Sequence, residues 1–269
     1  MTVGVGGRHL RARRPPAGAY LVAALTVAFF VLPLIGLAWR APWSQLWGDL
    51  TTRSTTDALR LSVECSLAAT VLSVVFGVPL AWVLARAEFP GRRLIRALVL
   101  LPMILPPVVG GVALFLAFGP RGLLGPVLES WFGIQLPFTT LGVVIAETFV
   151  AMPFLVITVE AALRNLDGRH EDAAITLGAN RWTVFRRVTV PLIMPSLVAG
   201  AALSWARALG EFGATITFAG NLEGKTQTMP LAIFLAFESN PETAIALSLV
   251  LVVISVVVLV GLRDHWLAA

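Results

Sequence analysis

Six stretches of this chain are long enough, and bare enough of charge, to leave water altogether. Residues 19–38, 65–85, 97–120 and 243–262 contain no Asp, Glu, Lys or Arg. Residues 136–163 carry only Glu147 and Glu160, and residues 192–220 only Arg207 and Glu211. About 20 consecutive apolar residues in a helix span the hydrocarbon core of a bilayer. Lipid offers the backbone no hydrogen-bond partner, so a spanning segment must satisfy its own amides, as a helix does. The sequence therefore predicts an all-α membrane protein with spans near 19–38, 60–85, 96–118, 137–163, 191–219 and 243–262. Pro102, Pro106 and Pro107 are expected to bend or break the first half of the third span. Only 13% of the residues are charged, against about 25% in soluble domains.

The formal charge of +5 raises the question of a nucleic-acid partner, and the placement of the charges answers it. The tail (1–18) holds Arg8, Arg11, Arg13 and Arg14, and alternate connections hold Arg86, Arg92, Arg93 and Arg96, then Arg164, Arg169, Arg181, Arg186 and Arg187. The connections between these are poorer in basic residues, with Arg121 and Lys225 each alone in theirs. Basic loops stay in the cytoplasm. Both termini and the loop 164–190 are thus expected inside a plasma-membrane protein, and no nucleic acid is implied. The first apolar run exceeds the h-region of a secretory signal, about 7–15 residues, so it reads as an uncleaved span. Trp39, Trp43 and Trp47 recur at four-residue spacing and are expected on one helix face, as an interfacial belt. Residues 119–138 are expected to hold a short amphipathic helix.

Cys65 is the one cysteine, so no intramolecular disulfide exists. His9, His170 and His265 lie outside the spans, which leaves no metal set and no catalytic pair at membrane depth. One helical domain, 19–264, follows the tail, and the chain is not expected to be an enzyme by itself. "AGNLEGKT" (219–226) nearly reads as a phosphate-binding loop, but Ala219 stands where that motif needs glycine and an apolar helix, not a strand, precedes it.

The most organised polar segment is "RHEDAAITLGANRWTVFRRVTVPLIMP" (169–195). Asp167 and Gly168 suit a helix entry, and Glu171 and Asp172 place negative charge in its first turn. Gly178 is placed to end that helix in a left-handed cap, and Asn180 to cap a second through Arg181 and Trp182. Pro191 falls at the entry of the fifth span. A loop that merely obeys the charge rule explains the arginines. It does not explain Ala173 and Ala174, a cap glycine, and Ile175, Leu177 and Trp182 left to water, which suit a surface covered by another protein.

The pattern Asp172-Ala173-Ala174, Gly178, Val188, Val190, Pro191 resembles the EAA loop of ABC-importer permeases, with Asp172 where that family has Glu and Glu171 just before it. "LPMILPPVVGG" (101–111), "GPRGLLGP" (119–126), "ARALGEFGATITFAGN" (206–221) and "GKTQTMPLAIF" (224–234) are similar to the molybdate and sulfate permeases. The resemblance implies a type I ABC-importer permease fold working as a homodimer, two cytoplasmic ATPase subunits, and an external oxyanion-binding protein. The loop would form a coupling helix docked on the ATPase, with Glu171, Asp172, Ala173, Ala174, Gly178, Arg181, Trp182 and Pro191 as its residues. ATP would be used by the partner, with no cofactor bound directly. Molybdate is the expected substrate, with sulfate and tungstate as alternatives. An ion-gradient-driven carrier is a further alternative, which the proline-rich third span suits and the docking loop does not.

Charges inside a span cost about 2.5–3.5 kcal/mol each on insertion scales, so each needs a partner or water. Arg207 and Glu211 are spaced to face each other on one helix. Two readings stand: an internal pair that stabilises the span, or a polar element beside the anion path. Gly210, Glu211, Phe212 and Gly213 are candidates for the path or gate, since small residues allow close helix approach and a ring can close a pore.

Overall fold

The structure, a computed structural model, describes residues 16–261. Among them every regular element is helical. The basic arginines of the tail, and Arg263, lie outside the described residues.

Helix α1 (Ala17–Trp39) belongs to a unit of its own, and the chain from Pro42 onward forms a second. Trp39 ends α1, Trp43 lies in a turn, and Trp47 falls in α2 (Leu46–Leu50). The expected single face of three tryptophans is therefore not formed. Pro42 cannot continue a helix, and its carbonyl instead receives the amides of Gln45 and Leu46. All three rings are nonetheless exposed.

The second unit is built on α3 (Arg53–Arg86) and α7 (Thr140–Asn165). With 34 residues, α3 is about 51 Å long, well beyond the hydrocarbon thickness. Its surplus lies at the start, where Arg60 Nε meets Glu64 Oε1 at 2.7 Å. Thr52 caps it by accepting from the Thr55 amide at 3.3 Å. Its buried face is a run of small residues, Ala58, Ser62, Cys65, Ser66, Ala69, Ser73, Gly77 and Ala81. Small side chains let another helix come close. A Cβ at Gly77 would lie 2.9 Å from Leu155 Cδ2 of α7. The apolar side chains Leu84, Leu155, Val156, Val159, Leu163 and Ile193 close the end of this interface that carries Arg86.

The expected third span is not one helix. It is α4 (Arg92–Ile104) followed by α5 (Pro107–Phe118), separated at Leu105 and Pro106. Consecutive prolines explain the break, because Pro106 and Pro107 supply no amide to the ladder and hold the preceding residue out of the helical region. The short amphipathic helix expected in 119–138 is α6 (Gly125–Phe132).

The fifth span is α10 (Val190–Leu209), which also ends early. Residues Gly210–Phe212 are not helical, and α11 (Gly213–Phe218) restarts beyond them. The two breaks touch. A Cβ at Gly213 would lie 2.8 Å from Pro107 Cβ and 3.1 Å from Val108 N, and Thr217 Oγ1 donates to Val108 O at 3.4 Å. Finally α12 (Met229–Ser239), an apolar helix within the connection that follows the fifth span, and α13 (Pro241–Gly261) pack together through Met229, Ala232 and Leu247, with Ala58 of α3. Among the described residues, five helices are long and apolar enough to cross a membrane: those at Gly18–Trp39, Arg53–Arg86, Thr140–Asn165, Arg181–Leu209 and Pro241–Val258.

The crossing of α5 and α11 makes a test of this packing. At Gly111 an added Cβ would approach Ala214 O to 2.7 Å and Ala214 Cα to 3.0 Å, both backbone atoms that cannot swing away. Gly111→Val is expected to destabilise the purified protein by about 1–3 kcal/mol, the usual cost of overpacking. At Gly210 the nearest atom would be Ala206 O, at 3.6 Å, so Gly210→Ala leaves the melting temperature in detergent near that of the parent.

Candidate functional site

The segment 169–195 folds as its local chemistry dictates. Helix α8 (Arg169–Thr176) carries Glu171 and Asp172 in its first turn. Asp167 Oδ1 receives the Arg169 amide at 3.1 Å and steers the entry. Gly178 has φ +87°, the left-handed region that an L side chain enters at a cost. The turn around it closes two bonds: Ala179 N donates to Ala174 O at 3.0 Å, and Gly178 N to Ile175 O at 2.9 Å. That pair is a Schellman motif. Asn180 Oδ1 then receives the Thr183 amide at 2.8 Å and caps α9 (Arg181–Val184).

The second helix does not stop before the membrane, because α9 runs into a wide π turn (Phe185–Thr189) and directly into α10. Pro191 supplies the reason. It brings no amide to bond the Arg187 carbonyl, and its ring crowds that carbonyl, so the backbone widens just before it. The Val190 amide accordingly reaches back to Phe185 O.

This knob exposes large apolar side chains among its charged ones. Leu177 keeps 88% of its surface, Trp182 66% and Ile175 54%. Ala173 and Arg181 are exposed and Ala174 is half-buried. None of the residues of α8 is buried. The two adjacent acids divide. Asp172 is exposed, whereas Glu171 is turned into the protein. Glu171 Oε2 lies 3.1 Å from an Arg86 guanidinium nitrogen, and Glu171 Oε1 accepts from Thr189 Oγ1 at 2.6 Å. Behind them, the Phe185 ring lies between Trp82 and Trp182, with centroid separations of 4.9 Å and 5.7 Å.

A second polar centre lies at the α10–α11 break. Arg207 and Glu211 do pair, at 2.6 Å. Glu211 is 1% exposed, and its other oxygen accepts from the Ala214 amide at 2.8 Å. One carboxylate thus neutralises Arg207 and satisfies an amide freed by the break, which is how an acid persists at this depth. Arg207 keeps 26% of its side-chain surface. Gly210 is exposed, Gly213 is buried against Pro107, and Phe212 lies 5.2 Å, ring to ring, from Phe234 of α12. The break therefore gathers Arg207, Gly210, Glu211, Phe212 and Gly213 at one place, and the coupling candidates gather at another.

Three further features lie outside these two centres. Glu147 is buried, and its Oε2 has no hydrogen-bond partner among the described residues; Ser204 Oγ and Thr215 Oγ1 share that condition. Glu160 is buried, and Arg96 and Arg164 enclose its carboxylate, with Arg164 Nε at 3.1 Å. The stretch 219–226 is a tight loop after α11, in which Leu222 O receives the amides of Lys225, Thr226 and Gln227. A helix does lead into it. Among the described residues, no group of His, Cys, Asp and Glu is placed to hold a metal ion.

Comparison with known proteins gives this architecture its family. Residues 77–268 match the family model described as the binding-protein-dependent transport system inner membrane component. The molybdenum transport system permease protein ModB of Mycobacterium tuberculosis is 49% identical over 246 residues, covering 91% of this chain and 93% of that one. The sulfate transport system permease protein CysT of Escherichia coli K12 is 37% identical over 244 residues, covering 90% and 86%. Among solved structures, a bacterial alginate ABC transporter, in complex with its alginate pentasaccharide-bound periplasmic protein, shares the fold at a TM-score of 0.69. Its identity is 19%, with 92% of each chain covered. Long helices, an exposed helical knob and a match across most of the chain agree: this protein belongs to the binding-protein-dependent transport system inner membrane components, the permeases of ABC importers.

Proposed function

We propose that the chain is the membrane-spanning permease of an ATP-driven importer for molybdate. Two copies would form the pore, two ATPase subunits would dock on the knob from the cytoplasm, and an external binding protein would deliver the anion. The observation that carries this reading is the knob itself. A capped turn presents Leu177, Trp182 and Ile175 to solvent, and covering such side chains is worth about 25 cal/mol per Å². Asp172 and Arg181 stand exposed on the same knob, ready for charged partners. The basic loops support a cytoplasmic position for this knob and for both termini. No cofactor is needed in the permease, and ATP is bound and hydrolysed by its partner.

Molybdate is favoured over sulfate by the identities, 49% against 37%. Both are tetrahedral dianions, and the external protein supplies most of the discrimination. The path would run past the α5–α11 crossing, where irregular backbone is tolerated only if protein or water covers it. Gly210, Phe212 and Gly213 would shape the gate there, with Arg207 offering positive charge and Glu211 holding it.

Proteoliposomes decide the matter. Uptake of radiolabelled molybdate is expected only when this chain is reconstituted with its ATPase, its binding protein and internal ATP. Excess tungstate is expected to compete strongly and excess sulfate weakly. Uptake by this chain alone, driven by an ion gradient, would replace the proposal with a secondary carrier. Competition in the reverse order would make it a sulfate permease.

A further inference from the structure

We infer that Glu171 is the internal link that carries a displacement of the knob into the bundle. It joins α8 to the end of α3 through Arg86, and to the head of α10 through Thr189. The inference rests on the importer reading above and adds to it the route by which force leaves the docked surface.

Helix α8 has eight residues and none of them is buried. An isolated helix shorter than about 12–15 residues is marginal in water, and this one has no fully buried side chain to fix its tilt. Its position relative to the bundle therefore depends heavily on its covalent ends and on polar ties. Glu171 supplies two of these with a single carboxylate: Arg86 at 3.1 Å and the Thr189 hydroxyl at 2.6 Å. Arg86 is the last residue of α3, the helix packed along α7 through the length of the unit. Thr189 is 2% exposed and sits in the π turn, where the backbone ladder changes register before α10. A charge-assisted bond in a half-buried place resists stretching more than a neutral one in water. Motion of α8 would thus pull on α3 and on α10 together. Asp172, one residue further on, is exposed and stays available to the partner. The division of labour is specific: Glu171 holds inward and Asp172 faces out.

The test uses the complete transporter, with ATPase and binding protein, and measures anions moved per ATP hydrolysed. Arg86→Gln and Glu171→Gln are each expected to lower that ratio about five-fold, the small end of typical coupling energies, while the ATPase still co-purifies. Thr189→Val, which replaces the hydroxyl with a methyl group, lowers it less. The exchange Arg86→Glu with Glu171→Arg rebuilds the pair in reverse and is expected to recover most of the ratio. The inference is overturned if Arg86→Gln leaves the ratio unchanged. It is also overturned if uptake and hydrolysis fall in parallel, which marks lost docking or folding, or if the exchange is no better than its single variants. If the unaltered protein itself neither binds an ATPase nor needs ATP, the importer reading fails and takes this inference with it.

Discussion

Gly178→Asp will abolish ATP-driven uptake, by at least about ten-fold, while the protein still inserts and purifies in normal yield. The two halves of that result have separate causes. A Cβ at Gly178 would meet nothing within 4 Å, so no clash unfolds the helix bundle. The left-handed backbone, φ +87°, costs a non-glycine residue on the order of 1 kcal/mol, and Asn and Asp least of all. That cost falls on a loop whose neighbours Leu177 and Trp182 are already exposed. Function suffers because, on the proposed reading, a negative charge appears in the middle of the surface on which the ATPase would dock. Burying an unpaired charge costs several kcal/mol, and 1.4 kcal/mol is already ten-fold in affinity. Gly178→Asn separates the two effects, since it shares the backbone demand without the charge. It is expected to keep most of the uptake and to co-purify with the ATPase. Equal loss in both variants would assign the defect to the backbone and remove docking from the explanation.

Where the chemistry is local, the sequence was sufficient. Gly178 as a left-handed cap, Asn180 as an N-cap and the acidic first turn of α8 each depend on residues within one turn of each other. The apolar runs were equally legible, because insertion in lipid depends on composition over about 20 residues and little else. Pro106 and Pro107 gave warning of the break before α5. What could not be read was every decision made by a distant partner. Glu171 and Asp172 are adjacent, about 100° apart around a helix, and either could have faced inward; Arg86 and Thr189 settle it. Glu160 lies near the end of an apolar run, and nothing within its own helix shows that Arg96, from α4, reaches it.

The break at Gly210–Phe212 shows a further limit. Nothing in "ARALGEFGATITF" forbids a continuous helix, and Arg207 and Glu211 would pair along one without interruption. The chain turns instead because Gly213 fits against Pro107 and Val108, and because Glu211 repays the opened ladder by taking the Ala214 amide. Both causes are tertiary. The tryptophans fail for the opposite reason, since a single local residue, Pro42, overrides a periodic pattern that periodicity alone would have kept.

Arg207→Met will be the most destructive single change to the fold. It strands the Glu211 carboxylate, 1% exposed, with its Ala214 bond but no counter-charge. Removing one partner of a buried pair costs about 3–5 kcal/mol, a large share of what holds most domains together. The variant is therefore expected to show little folded protein after extraction. Glu211→Gln in the same chain removes the stranded charge, and the amide oxygen still accepts from Ala214. The double variant should recover its melting temperature to within a few degrees of the parent, because paired charges replaced together by neutral groups often cost nothing. Uptake is the second readout. Arg207 retains surface beside the break, so the double variant is expected to stay stable yet transport anions poorly, with a raised concentration for half-maximal uptake. Full recovery of uptake along with stability would make the pair a structural lock alone, and the anion's path would have to draw its positive charge from another residue.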